Sequence, residues 1–426
     1  MSGFPAIFRV RQTLERPQVV NLEAEIDAEM RRSNLENTIS KGQSVAISAG
    51  SRGIMNIPLI LRSVVRHFQA IGARPFIVPA MGSHGGGSAE GQVNVLRKLG
   101  VTEDFCGCEI RSSMETVVVC QAKEGFPVHF DRNAFEADHV YVVNRVKPHT
   151  GFSGDVESGL MKMMLIGLGK HEGASVYHRV IVNYSFGQIV RSVAKEVLGR
   201  CRIVGGLAIV ENAYDETALI KAVDPSEFED REKELLVLAK RWLPKLPFDR
   251  ADVLVIDEMG KNISGAGFDT NVVGRKFNDH VAWEGEFPKI TRIAVRRLTP
   301  QSEGNASGIG IAEFCRSQLL RDMDAHYTRT NCLTAGHVTA AMLPLDYETD
   351  REMVGAALGA IGYVAPENAK LMSIRNTLDV AEVECSEAYL PQMEQRDDLK
   401  IIKSPRELPF DAVGNLIEQF KTFAHA

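Results

Sequence analysis

Short apolar runs alternate with segments of helical periodicity along the first half of the chain. Each apolar run ends in a polar, glycine-containing loop, and the next segment repeats Ile, Leu, Val or Phe at the spacing of one helix face. This alternation predicts a parallel β-sheet covered by helices. The predicted strands are Ser44–Ser48, Pro75–Pro79, Thr116–Cys120, Val140–Val143 and Val204–Val210, and the predicted helices are Ile57–Ala70, Ala89–Leu99 and Tyr184–Leu198.

The pattern breaks off and then restarts near residue 248. A charged helix over 225–248 runs into Leu243-Pro-Lys-Leu-Pro-Phe248, which has the composition of a linker. We therefore expect an α/β protein of two α/β domains with mostly parallel sheets, residues 1–248 and a smaller domain of residues 249–426, with the active site in the cleft between them. The predicted elements of the second domain are the strands Ala251–Ile256 and Ile293–Arg297 and the helices Ala312–Asp322, Met353–Ile361 and Asn415–Phe423.

Composition and charge narrow the class of protein. Apolar residues make up 44% and charged residues 24% of the 426 positions, as in soluble globular proteins. The net charge is −6 and no block of Lys and Arg stands out, so nucleic acid is not an expected partner. Since no apolar run could span a bilayer and no signal-peptide core is seen, we expect a cytoplasmic protein with no membrane partner. A small molecule is the expected partner, and a homo-oligomer stays open.

The seven cysteines do not form a recognisable metal or disulfide pattern. Only Cys106 and Cys108 are close, and one residue separates them, whereas zinc pairs usually have about two to four residues between the ligands. We interpret the cysteines as core residues in a reducing compartment.

Two histidines follow predicted strands at the point where each strand ends. His149 stands in Lys147-Pro-His-Thr-Gly-Phe-Ser-Gly154, and His84 stands in Gly82-Ser-His-Gly-Gly-Gly87, which is neither a P-loop nor a GxGxxG fingerprint. Ligands of open α/β sheets bind at the carboxyl ends of strands, so the two imidazoles are candidates for an acid/base pair. The alternative is two unrelated loop histidines.

Three further side chains are candidates for holding a ligand. Arg52 ends the first strand, where a guanidinium can grip a carboxylate or phosphate; the alternative is a surface ion pair. Lys162 lies in the apolar run Leu160–Ile166 and is either a covalent tether or a lysine that reaches out to water. His178 is a candidate metal ligand, and a lone histidine would need a cofactor to complete the metal's shell.

A second polar, glycine-rich loop follows the strand Ala251–Ile256. Lys261, Asp269, Asn271 and Arg275 crowd this loop, and we expect them to face the cleft and bind a substrate rich in hydroxyl or carboxylate groups. The alternative is that Asp and Asn simply favour turns there.

Together these pieces resemble the nickel-dependent lactate racemase family. The similarity covers most of the first half, from Ile47–Arg52 through Gly82-Ser-His84 and Pro148–Gly154 to Lys162 and His178. The resemblance implies a racemase or epimerase of a 2-hydroxy acid with a nickel-pincer nucleotide, a pyridinium mononucleotide with two sulfur arms. It implies Lys162 as the tether, His178 as the nickel ligand, and His84 and His149 as acid and base.

The same resemblance implies a cofactor cradle and a substrate clamp. Ser51, Gly151, Ser153 and Gly154 would bind the cofactor, while Arg52, Lys261, Asn271 and Arg275 would bind the substrate. Residues 1–248 would be the catalytic and cofactor domain, closed by residues 249–426.

The chain also departs from the family pattern. Ala49 replaces an aspartate, and the loop before Lys162 is longer than in the family, which leaves Lys170 as a second candidate tether. Val272-Val-Gly-Arg275 stands where the family has a substrate-facing Tyr and Lys, so we expect a 2-hydroxy acid larger than lactate, such as a sugar acid. Two other functions stay open: a cofactor-free sugar-acid epimerase or hydro-lyase, and a non-catalytic binder of an anion or nucleotide.

Overall fold

The computed structural model describes residues 3–51, 53–181, 183–394, 396–417 and 420. The chain forms two compact units. The first unit is residues 16–243, and the second unit is residues 1–15 together with 244–426.

The strands and helices of the described residues are numbered in chain order. The strands are β1 Ile7–Gln12, β2 Ser44–Ala49, β3 Arg74–Pro79, β4 Thr116–Gln121, β5 Pro127–Asp131, β6 His139–Arg145, β7 Ile203–Glu211, β8 Thr217–Val223, β9 Arg250–Met259, β10 Lys289–Leu298, β11 Phe314–Arg316, β12 Leu345–Tyr347, β13 Leu371–Ile374, β14 Glu382–Ser386 and β15 Leu399–Arg406. The α-helices are α1 Leu22–Arg32, α2 Ile57–Ala70, α3 Ala89–Lys98, α4 Glu103–Cys106, α5 Arg132–Glu136, α6 Gly159–Lys162, α7 Lys170–Val180, α8 Phe186–Arg200, α9 Phe228–Trp242, α10 Thr270–Val273, α11 Ser317–Asp322, α12 Ala325–Thr334, α13 Asp350–Gly359 and α14 Leu390–Met393.

The sheet of the first unit has the strand order β3-β2-β6-β7-β8. Its first four strands are parallel, and β8 joins β7 as an antiparallel edge. The predicted parallel α/β sheet is therefore confirmed. Strands β2, β3 and β6 are neighbours with β2 in the middle, so the loops that follow them start from one edge of the sheet.

Helix α2 shows why the helices cover this sheet. Its side chains Ile60, Leu61, Val64, Val65 and Phe68 follow the spacing of one helix face, and all of them are fully buried. Burial of each such side chain contributes about 1.5–3 kcal/mol relative to exposure.

The sheet of the second unit has the order β12-β11-β10-β9-β13-β14-β1-β15. The strands from β12 to β13 are parallel, and the remaining three pairings are antiparallel. Strand β1 from the start of the chain thus lies between β14 and β15. The sequence analysis placed residues 1–15 in the first domain, and the structure places them in the second unit. The sequence of a single apolar strand does not reveal which sheet the strand will join.

Three predicted elements differ locally. Thr116–Gln121 pairs with Pro127–Asp131 in a separate antiparallel hairpin instead of extending the parallel sheet. The predicted helix Ala312–Asp322 begins with strand β11 and becomes helical only at Ser317. The predicted helix Asn415–Phe423 is wrong at Leu416, which forms an antiparallel bridge with Phe410; positions 418, 419 and 421–423 lie outside the described residues.

In the part of the chain that the structure covers, none of the helices has the length and apolarity needed to cross a membrane.

Candidate active site at the carboxyl edge of the first sheet

Three loops that follow β2, β3 and β6 pack around one helical segment. This segment is residues 159–180, in which α6, a π-helical turn Met163–Gly167 and α7 follow one another. A Cβ atom placed on Gly50, after β2, would lie 3.2 Å from the Met163 side chain. A Cβ atom on Gly82, after β3, would lie 3.3 Å from Ile166. At the end of β6, Asn144 Nδ2 donates to the Gly159 carbonyl oxygen at 2.7 Å. The ends of β2, β3 and β6 therefore contact the same helical segment. That His84 and His149 share one site stays a prediction.

The loop that carries His84 is shaped by its glycines. Gly82, Gly85, Gly86 and Gly87 all have φ between 59° and 68°, the left-handed region in which a side chain is strained. A Cβ on Gly85 would also lie only 2.5 Å from the backbone of the next helix. The loop therefore turns sharply and leaves the His84 side chain exposed, with Nδ1 2.8 Å from the Met81 carbonyl oxygen.

The loop that carries His149 is closed by a buried carboxylate. Glu157, which is 1% exposed, accepts hydrogen bonds from the backbone N–H of His149 at 2.8 Å and of Gly154 at 3.0 Å. Lys240 on α9 pairs with the same carboxylate at 2.6 Å. The residues predicted to bind the cofactor in this loop, Gly151, Ser153 and Gly154, are exposed on its outer side.

An aromatic stack continues from His149 towards Lys162. The His149 ring stacks on Phe152 with 3.8 Å between ring centres, and Phe152 stacks on Phe186 at 4.1 Å. Lys162 Nζ lies 5.9 Å from the centres of both phenylalanine rings. At this distance an ammonium is attracted to the ring faces, which holds the amine beside the His149 loop.

Helix α6, which presents Lys162, begins at a buried acid. The Glu232 side chain accepts hydrogen bonds from the backbone N–H groups of Leu160 and Met161, the latter at 3.1 Å. Burial raises the pKa of Glu232 well above its usual value. Gly159 has φ 77°, so the chain enters the helix in a conformation that favours glycine.

His178 on α7 is held in the form that binds a metal. Burial lowers the pKa of this imidazole, and the positive charge of Lys162 lowers it further. A neutral imidazole is the ligand form of histidine. Among the described residues, no group of three or more His, Cys, Asp or Glu side chains is arranged to hold a metal ion.

Lys170, the second candidate tether, is not available for attachment. Its amine is completely buried and donates to the Pro79 carbonyl oxygen at 2.8 Å and to Gln92 Oε1 at 2.7 Å, with Asp131 Oδ2 at 3.4 Å. Burial lowers the pKa of Lys170, and the charge of Asp131 counteracts this. With three oxygen neighbours and no exposure, Lys170 serves the fold, which leaves Lys162 as the candidate.

The expectation that Arg275 faces a substrate needs correction. Arg275 is 1% exposed, and its guanidinium donates to the carbonyl oxygens of Ile290, Thr291 and Ile311 and to Glu313 Oε1. These partners lie at the amino-terminal ends of β10 and β11, whereas ligands of such sheets bind at the carboxyl ends. Between Lys261 and Arg275 the chain returns from the carboxyl ends of the strands to the amino-terminal ends, which the loop composition did not reveal.

The other predicted substrate residues of the second unit are engaged locally. Lys261 follows β9 and donates to Gly265 O at 2.7 Å and to Asn331 Oδ1 at 2.6 Å. Asn271 bonds to the side chain of Asp269 at 2.8 Å within the same turn. Ser51 directly follows Gly50 at the end of β2, and Arg52 lies outside the described residues.

Several residues that shape the site were missed from the sequence. Glu157, Glu232 and Gln92 are buried polar residues whose partners are backbone groups of the site loops, and Phe186 completes the aromatic stack. Gln92 lies on α3 and Glu232 on α9, whereas Glu157 lies in the loop before α6. The sequence shows neither their burial nor their partners.

The fold and the site define a class of protein: an enzyme-like α/β chain with two histidine loops and a lysine–histidine segment at one sheet edge. Residues 8–187 match the lactate racemase N-terminal domain. This match confirms the resemblance to the lactate racemase family over residues 8–187.

A solved structure shows the same fold, and a second alignment is weaker. The lactate racemase apoprotein from Thermoanaerobacterium thermosaccharolyticum aligns with a TM-score of 0.54 at 12% identity, over 88% of this chain and 99% of that one. A protein from Thermotoga maritima aligns with a TM-score of 0.48 at 15% identity, over 77% of this chain and 83% of that one. No curated protein sequence matches the chain.

Proposed function

We propose that this chain is an isomerase, a racemase or epimerase of a 2-hydroxy acid that works with a nickel-pincer nucleotide. The observation that carries the proposal is the packing of the His84 loop and the β6 end against the Lys162–His178 segment, inside the region that matches the lactate racemase N-terminal domain.

The residues present fit such a cofactor. Burial lowers the pKa of His178 and so favours its neutral form, which would offer one nitrogen donor, while the cofactor would bring the other donors. Lys162, whose charge acts on His178, lies on the same helical segment and is the residue proposed to attach to or pair with the cofactor. The exposed glycines of the His149 loop allow a planar, phosphorylated molecule to approach the backbone closely.

When bound, the cofactor would supply acceptance and return of the hydride from the hydroxyl-bearing carbon. The chain's own residues then have to hold the substrate and handle the hydroxyl proton. We assign this work to His84, on the loop after β3, and His149, on the loop after β6, and the Phe152–Phe186 stack covers one face of the His149 ring.

The fate of the hydrogen on carbon distinguishes this proposal from a cofactor-free epimerase or hydro-lyase. We expect turnover of the active 2-hydroxy acid in deuterated water to give product without deuterium on the hydroxyl-bearing carbon, because hydride returns to the same carbon. Product that gains deuterium there would show proton abstraction and would contradict the proposal. A panel of lactate, hydroxy dicarboxylic acids and aldonates identifies the substrate, and a protein that only binds the cofactor would turn over none of them.

A further inference from the structure

A cavity of the second unit lies near the amino-terminal ends of β10, β11 and β12. Arg292, Phe314 and Leu345 of these three strands line it, and its volume is about 440 Å³. Small-molecule sites have volumes of roughly 300–1,000 Å³. None of the described residues that line the cavity belongs to the candidate active site, so a ligand here would occupy a separate site.

The outer wall of the cavity is apolar and exposed. Met342, Leu343 and Leu345 line it with 55%, 59% and 63% of their surface exposed. Strand β12 is the last strand of its sheet in the described residues, so no further strand of that part of the chain covers this wall. A ligand whose apolar chain removes these side chains from water would be held by the hydrophobic effect.

The same wall is fixed in place by a close backbone contact. The turn Val338–Ala341 packs on Gly310, where a Cβ atom would lie 2.0 Å from the Thr339 carbonyl oxygen and 2.9 Å from the Met342 nitrogen. The Met342 N–H also donates to the Thr339 carbonyl oxygen at 3.0 Å. A wall that is already ordered reduces the free energy that binding must spend on ordering.

The cavity also presents a positive charge. The Arg292 guanidinium donates to the carbonyl oxygens of Thr291 at 3.0 Å and of Ala360 at 3.1 Å, and among the described residues it pairs with no carboxylate. Because a guanidinium has five N–H donors, donors remain for a ligand.

The carboxylates near the cavity already have partners. Glu313, which lines it, pairs with the buried Arg275 at 2.8 Å. Asp279, which precedes a lining histidine, accepts a hydrogen bond from the His337 ring at 2.8 Å. The charge that a ligand can complement is therefore that of Arg292, and the complementary ligand is an anion.

We propose that this cavity is a second ligand site, which binds a small carboxylic acid with an apolar chain. The chain covers Met342, Leu343 and Leu345, and the carboxylate accepts hydrogen bonds from Arg292, because a planar carboxylate matches the geometry of a guanidinium. An uncharged or cationic molecule with the same chain leaves Arg292 without an opposite charge. The inference goes beyond the proposed function and does not depend on it.

Binding of octanoate to the full chain without cofactor tests the ligand class. Isothermal titration calorimetry should show saturable binding of octanoate at one site per chain, with 1-octanol, octylamine and acetate bound much more weakly. Equal affinity for octanoate and 1-octanol, or no saturable binding of octanoate, overturns the proposal.

Variants of the cavity test the place of binding. Arg292→Gln should weaken octanoate binding by at least about tenfold, as expected for the loss of a hydrogen bond between charged groups. Leu343→Ser should also weaken it with little change in Tm, because Leu343 is exposed. The matched controls are Arg329→Gln and Leu333→Ser, which change an exposed arginine and an exposed leucine on α12.

Two results with these variants would overturn the proposal. Unchanged octanoate affinity in both Arg292→Gln and Leu343→Ser would place the binding elsewhere. Sedimentation of the same proteins gives the second result. If the unchanged chain dimerises, Leu343→Ser abolishes the dimer and neither protein binds octanoate, the apolar wall is a contact between two copies of the chain.

Discussion

Lys170 Nζ donates a 2.7 Å hydrogen bond to Gln92 Oε1, and both side chains are completely buried. The amide of Gln92 in turn donates to the carbonyl oxygens of Gly82 at 2.9 Å and of His84 at 3.4 Å. A buried ammonium is thus linked by a single side chain to the loop that carries the candidate base. The position of His84 depends on this link because the loop's own glycines impose little restriction on the backbone.

Replacement of Lys170 by Met should strongly destabilise the protein. The change leaves Asp131 buried without its counter-charge, and loss of one partner of a buried pair costs about 3–5 kcal/mol. Urea unfolding measures this change, with Lys162→Met as the control on the same helical segment. The double variant Asp131→Asn/Lys170→Met should recover part of the loss, since no unpaired charge remains. Equal stability of Lys170→Met and the unchanged protein would show that the network is not needed.

His178→Ala should remove nickel from protein produced together with the cofactor's biosynthesis enzymes. The reason is that His178 is the candidate nitrogen donor of the chain, held neutral by burial. His171→Ala is the matched control, because His171 is an exposed histidine on the same helix. Metal analysis of the purified proteins gives the answer. Full nickel in His178→Ala, or loss of nickel in both variants, would exclude His178 as the specific ligand.

Glu157→Gln should reduce turnover more than it reduces stability. Its carboxylate closes the His149 loop through two backbone N–H groups, and a hydrogen bond to a charged group is worth about 1.5–3 kcal/mol. We expect kcat to fall by roughly 10–100-fold, with a small change in Tm. Lys240→Ala removes the partly exposed ion-pair partner and should have a much smaller effect. If Lys240→Ala lowers kcat as much as Glu157→Gln does, the ion pair between Lys240 and Glu157 controls turnover and the loop closure does not.

Because of the buried Glu232, we expect the free energy of unfolding to decrease as pH rises. Its pKa is raised in the folded protein by burial, so the folded state binds the proton more tightly than the unfolded state. The stabilisation that comes from protonated Glu232 is fully present below the ordinary glutamate pKa. It is lost as pH rises towards the pKa that Glu232 has in the folded protein. Relative to the unchanged protein, Glu232→Gln should therefore gain stability as pH rises above about 4.5. If the difference between the unfolding free energies of the two proteins is the same at every pH, this pH dependence is contradicted.

The sequence predicted the parts of the site that follow directly from strands. The apolar runs before His84 and His149 end where the loops begin, and the structure brings both loops against the Lys162–His178 segment. These contacts follow from the strand pattern because the carboxyl ends of parallel strands meet at one edge of a sheet. That His84 and His149 act in one site stays a prediction.

The parts that failed depend on contacts between distant residues. Arg275 was grouped with Lys261 because they are near in sequence, but Lys261 follows the carboxyl end of β9 whereas Arg275 bonds to the start of β10. Strand β1 joins a sheet formed by the other end of the chain. Glu157 closes the His149 loop through backbone groups, and backbone partners leave no pattern in side-chain sequence. Each failure concerns a pairing that hydrophobic periodicity does not encode.

The central claim is that the first unit carries a nickel-pincer nucleotide beside Lys162 and His178. The most direct measurement is native mass spectrometry with metal analysis of the full chain after co-expression with the cofactor's biosynthesis enzymes. We expect stoichiometric nickel together with the added mass of the cofactor, and any covalent adduct should lie on the peptide that contains Lys162. A nickel-dependent lactate racemase produced in parallel is the positive control. If the control is loaded while this chain carries neither the nickel nor the added mass, the account is contradicted.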